Sequence, residues 1–111
     1  LKSKMYVSGG ISGRRWEYAR AQFNMAEEFI ISFGLAESVH NPVKTVIDKG
    51  DKNSDELWRE YMNISIKALL ECDSIFMLDG WSSSKGAVIE RTLAIGLGLE
   101  IFEEDDWNGQ V

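Results

Sequence analysis

Apolar positions recur along this chain with two different periods. Residues 4–8, "KMYVS", form a short, mostly apolar run that meets glycines at 9, 10 and 13. This predicts a buried strand over Lys4–Ser8 entering a tight turn. From Arg15 the period lengthens. Trp16, Ala19, Phe23, Ala26 and Ile30 recur at steps of three and four, with Glu17, Arg20, Glu27 and Glu28 mostly between them. That is the apolar stripe of an amphipathic helix, and Gly34 provides its stop. Leu35–Val39 predicts a short second strand, broken by His40-Asn41-Pro42. Residues 43–53, "VKTVIDKGDKN", read as a mobile polar loop.

Ser54 is a good N-cap, with Asp55 and Glu56 in the first turn behind it. Leu57, Tyr61, Ile64 and Ala68 then mark a second helix reaching about Cys72. The run 73–78, "DSIFML", is the clearest strand, apolar enough to be buried on both faces. A loop, "DGWSSSKG", leads into a third helix over about Lys85–Leu97, ended by Gly98. Leu99–Phe102 is the last strand, and the acidic tail "EEDDWNGQV" is expected to fray or to dock loosely through Trp107.

Strands and helices therefore alternate, which predicts a three-layer α/β fold with helices on both faces of a parallel sheet. Four strands at this length suggest a flavodoxin- or Rossmann-like sheet of order 2-1-3-4. Ligands bind such sheets beyond the carboxyl ends of the strands, where the order reverses between strands one and three. The loops there are "SGGISGRR" and "DGWSSSKG".

At 111 residues the chain is expected to form one domain, residues 1–111. Twelve basic residues against eighteen acidic ones give a net charge of −6. This argues against long nucleic acid as a partner, because that affinity rests on neutralising many phosphates. A small anion needs only one local cluster of donors. With one cysteine, Cys72, and one histidine, His40, neither an internal disulfide nor a zinc site is expected. No apolar stretch approaches a membrane span and no secretory signal is visible, so a cytoplasmic protein is expected.

The chemistry gathers in the two loops. Glycines let backbone amides approach a ligand, the following helix aims its free N–H groups the same way, and Arg14 and Arg15 add charged donors. A strand-to-helix turn favours glycine for its own sake as well, so this loop alone leaves turn and anion site equally placed. It matches neither GxxxxGK[ST] nor GxGxxG. The second loop offers Ser82, Ser83, Ser84, Lys85 and Gly86, and Glu90 follows in the first turns of the helix. A carboxylate in that cleft can serve as nucleophile or base, or simply pair with Arg91 on the surface.

"YVSGGISGRR" followed by "LLECDSIFMLDGWSSSKGAVIE" resembles the nucleoside 2-deoxyribosyltransferase-like superfamily. The nearest likeness is to a branch of short, often phage- or prophage-encoded proteins known as domain of unknown function 4406. Tyr6-x-x-Gly9-x-Ile11-x-Gly13-x-Arg15 and Ser84-x-Gly86-x-x-x-Glu90 are also similar to the 2′-deoxynucleoside 5′-monophosphate N-glycosidases. The resemblance implies that Glu90 attacks the anomeric carbon of a nucleotide, oriented by Tyr6. It implies that the 5′-phosphate is held by the loop Gly9, Gly10, Ile11, Ser12 and Gly13, together with Arg15, Ser84 and Gly86. Nucleoside-specific relatives carry an acid at position 84, which would repel a phosphate, so Ser84 points to monophosphates. No metal or organic cofactor is implied, and the active relatives are dimers or larger, so a homo-oligomer is expected.

The chain departs from that pattern at three places. Gly10 and Asp79 stand where proline is frequent. Ser65 stands where active relatives place an aspartate on the second helix that assists the leaving base or the sugar. Asp48, Asp51 and Asp55 are the possible stand-ins. Asn41, Pro42 and Trp81 are candidates for a base pocket, Lys44, Lys49 and Lys52 for a lid, and Trp58 and Tyr61 for a subunit interface. The expected activity is cleavage or transfer at the N-glycosidic bond. The alternatives are a catalytically weak nucleotide sensor and a structural accessory domain.

Overall fold

The computed structural model describes residues 3–11, 13–45 and 55–107. Four strands, β1 (Lys4–Ser8), β2 (Ser38–His40), β3 (Ser74–Met77) and β4 (Glu100–Glu103), form one sheet of order β2-β1-β3-β4. Every pairing is parallel. Helices α1 (Trp16–Ser32), α2 (Asp55–Leu69) and α3 (Lys85–Leu97) connect them, and a short α4 (Glu104–Trp107) follows β4.

The two-residue period of the strands sorts the core into two layers. Met5, Val7, Phe76 and Leu78 face α1, whose Phe23, Ala26 and Ile30 are the buried stripe read from the sequence. Tyr6, Ile75 and Met77 face the opposite way, packed with Leu69 at the end of α2 and with Ala87 and Ala94 of α3. Helices thus cover both faces. Among the described residues no helix is long and apolar enough to cross a membrane.

Several boundaries move for local reasons. β2 occupies Ser38–His40 rather than Leu35–Val39. After α1 the amides of Phe33, Gly34 and Leu35 still bond back to carbonyls of Phe29, Ile31 and Ile30, so Leu35 belongs to the helix stop. Gly34 takes the left-handed conformation there, with φ 68°. Ala36 is then drawn into the α1-side core. α2 ends at Leu69, and the chain reaches Cys72 through tighter turns, Glu71 N–H to Ala68 and Cys72 N–H to Leu69.

The expected mobile loop begins in ordered structure. Asn41 caps one turn of 3-10 helix over Pro42–Lys44, Val43 is buried, and Lys44 pairs with Glu27 at 2.9 Å. Residues 46–54, with Asp48, Lys49, Asp51, Lys52 and the expected Ser54 cap, lie outside the described residues. The tail begins as a helical turn instead of a frayed end. Glu104 accepts from the Asp79 amide at 2.8 Å and from Gln22 Nε2 at 3.3 Å, which ties α4 to the β3 loop and to α1. The Trp107 side chain lies outside the described residues.

Candidate functional site

Strand alternation puts Tyr6 and Ser8 on the same face of β1 as Ile75 and Met77, beneath α3. The buried stripe of α3 is Ala87, Glu90 and Ala94, so helical spacing turns Glu90 inward onto that face. The carboxylate is only 6% exposed. Its two oxygens are held separately: Tyr6 donates its phenol O–H to Oε2 at 2.8 Å, and Ser8 donates its hydroxyl to Oε1 at 2.6 Å. One donor on each oxygen suits an ionised carboxylate, which retains lone pairs for a further partner. Burial pushes the Glu90 carboxyl above the ordinary glutamate value, and the Ser8 and Tyr6 hydrogen bonds pull it back down.

Tyr6 is itself fixed. Its ring stacks on His40, with centroids 5.2 Å apart and planes 11° from parallel. Burial and the Glu90 charge raise its phenol far above the ordinary tyrosine range, so it remains a donor. Ser65 of α2 is buried and close enough to the same phenol to pull its titration down.

Glu90 lines a cavity of about 260 Å³ at the carboxyl ends of β1 and β3. One rim comes from Gly9 and Ile11 after β1, another from the segment Ser83–Gly86 opening α3, and a wall from Trp58, Tyr61, Met62 and Ser65 of α2. The volume falls just below the usual range for small-molecule sites, about 300–1,000 Å³. Ser84 caps α3 by accepting from the Ala87 amide at 3.2 Å, and the unpaired N–H groups of the first turn favour an anion there. Lys85 Nζ lies 4.5 Å from the centroid of the Trp58 ring.

The cavity gathers Tyr6, Gly9, Ile11, Pro42, Ser65, Ser84, Gly86 and Glu90 from the residues expected by sequence. Others stand elsewhere. Arg15 stacks over Tyr18, 4.8 Å from its centroid, and is not among the lining residues. Arg14 folds back onto the Gly10 carbonyl and Gln22. Gly13 is exposed with φ 78°, a turn position rather than a wall. Asn41 donates to Asn24 and Glu27 behind the 3-10 turn, and Trp81 lies under Arg91 at 4.6 Å. Ser12 lies outside the described residues, as does the side chain of Asp55.

Two glycines have steric reasons of their own. A Cβ on Gly9 would meet Leu78 Cδ1 at 2.9 Å, and one on Gly86 would meet Met62 Sδ at 3.2 Å. The first loop therefore needs Gly9 to pass over the core, whatever it binds. Ser8 was not among the site residues read from the sequence. Its signal was present, because a polar residue two places after Tyr6 shares its face. Trp58 and Tyr61, read as interface candidates, line the cavity.

Fold and site together define a parallel α/β domain with a buried glutamate at the crossover between its two central strands. The chain belongs to the family described as Domain of unknown function (DUF4406), which matches residues 3–103. No curated protein and no solved structure matches it.

Proposed function

We propose that this cavity binds a nucleoside 5′-monophosphate and that Glu90 cleaves its N-glycosidic bond. The observation that carries the reading is Glu90 itself: a buried carboxylate, braced on each oxygen by Tyr6 and Ser8, facing a cavity whose rim is an anion-compatible helix start. A buried, oriented carboxylate is the nucleophile a retaining glycosidase requires. The phosphate would sit at Ser84 and the first amides of α3, beside Gly9. One carboxylate oxygen would bond to C1′ as the C1′–N bond breaks, its electron pair leaving with the base, which takes up a proton from solvent water. A water would then attack C1′ of the glycosyl ester, its hydroxyl going to the free sugar phosphate and its proton returning to solvent as the carboxylate is restored. The similarity to the nucleotide N-glycosidases noted from the sequence supports the same assignment.

Incubation with a panel of ribo- and deoxynucleoside monophosphates, followed by chromatography for free base, tests this. Release is expected from at least one substrate and is lost in Glu90→Gln. No release from any nucleotide, or release that survives Glu90→Gln, refutes it. A second reading, binding without turnover, draws on Ser65: it sits close to the Tyr6 phenol and offers no acid where relatives carry aspartate. Thermal stabilisation by monophosphates with no base release would favour that reading.

A further inference from the structure

The wall contributed by α2 has one donor left over. Tyr61 lines the cavity, yet its hydroxyl is buried with no hydrogen-bond partner among the described residues. A buried hydroxyl without a partner is a cost to the free protein, so such groups call for an explanation. Other cavity side chains already have roles: Tyr6 donates to Glu90, and Ser84 caps α3 by accepting from the Ala87 amide. Tyr61 is also the residue one helical turn before Ser65, so it stands on the same side of α2. Burial and the nearby Glu90 charge keep its phenol protonated, hence a donor.

The neighbours of Tyr61 indicate what it meets. Trp58 and Met62 flank it in the same wall, giving an indole, a phenol ring and a thioether. That is a surface for a flat heteroaromatic group rather than for a phosphate. The phosphate-compatible groups, Ser84 and the amides opening α3, adjoin that wall, with Lys85 Nζ over the Trp58 ring and Gly86 against Met62, while the Tyr61 hydroxyl lies within reach of the Glu90 charge.

We propose that Tyr61 reads the base: its hydroxyl donates a hydrogen bond to an acceptor on the heterocycle of the bound nucleotide, against the apolar wall of Trp58 and Met62. This rests on the nucleotide reading of the same cavity. It moves base recognition from the Asn41 and Trp81 region to α2.

The test compares Tyr61→Phe with its parent in a Glu90→Gln background, so that turnover does not consume the ligand. Affinities for the four 2′-deoxynucleoside 5′-monophosphates are measured by calorimetry, and the melting temperature of the free protein is recorded. Tyr61→Phe is expected to weaken the best-bound nucleotide about tenfold, the worth of one hydrogen bond. It narrows the spread among the four and leaves the melting temperature of the free protein unchanged or higher. Equal weakening of all four, or no weakening, overturns the inference while leaving nucleotide binding intact. A fall of several degrees with unchanged affinities assigns the hydroxyl to the fold and overturns it too. If neither the parent nor wild type binds any of the four or any of the corresponding ribonucleoside monophosphates, the nucleotide reading itself falls and takes this inference with it.

Discussion

Removing the Ser8 hydroxyl isolates one bond in the glutamate's support. Ser8 is 1% exposed, and its hydrogen bond to Glu90 Oε1 is 2.6 Å long. A hydrogen bond to a charged group contributes about 1.5–3 kcal/mol. Ser8→Ala should therefore cost about 2 kcal/mol where Glu90 is ionised, or roughly 8 °C in melting temperature for a chain of this size. The pH dependence follows from the raised carboxyl. Because the folded state holds the Glu90 proton more tightly than the unfolded chain, ionising Glu90 costs stability. That cost is absent below the unfolded value, about 4.3, and complete above the folded one. Ser8 works against it by favouring the ionised form. Without Ser8 the folded value should rise further.

The penalty of Ser8→Ala should thus be largest on the alkaline side and shrink as pH falls through the folded value. Below it only a neutral hydrogen bond is lost, about 1 kcal/mol or less. Urea denaturation of both proteins at a pH near 8 and again near 4 measures the difference directly. Equal penalties at the two pH values, or none at the higher one, would refute the claim that Ser8 stabilises the charge on Glu90. A charge-independent packing loss would give the first result.

Two further substitutions separate fold from binding. Ser84→Asp keeps a good N-cap for α3, so the melting temperature should stay within a few degrees, while monophosphate affinity falls by at least tenfold through charge repulsion; calorimetry that shows undiminished binding would place the phosphate elsewhere. Gly9→Ala should lower stability by about 1–3 kcal/mol, because its Cβ would press on Leu78 at 2.9 Å, and a variant melting within a degree of wild type would show that the loop yields freely.

The sheet was legible because its strands differ in kind from its helices: "IFML" within "DSIFML" is continuously apolar, and the α1 stripe has the helical period. Order 2-1-3-4 followed from alternation and right-handed crossovers. β2 was misplaced because Leu35 and Ala36 are apolar for a different reason: they close the end of α1. In the site, Glu90 and Tyr6 were found by motif, and their contact follows from two periodicities meeting across α3 and β1. Arg15 could not be placed, since one residue past a turn decides whether a long side chain meets the cavity or Tyr18. That Trp58 and Tyr61 join Ser65 along the cavity was hidden because a sequence shows which face of a helix is apolar but not what that face overlooks.

β1 lies inside the sheet, bonded to β2 on one side and β3 on the other. Amides of a central strand exchange with solvent only when the whole domain opens, whereas helix ends exchange through local fraying. Tyr6 and Ser8 therefore belong to the slowest-exchanging layer of the protein, and Ser84, at the opening of α3, to a faster one. Any breathing that admits a ligand must be movement of the helices over a fixed floor, with the Glu90 oxygens returning to the same two hydroxyls at each closure.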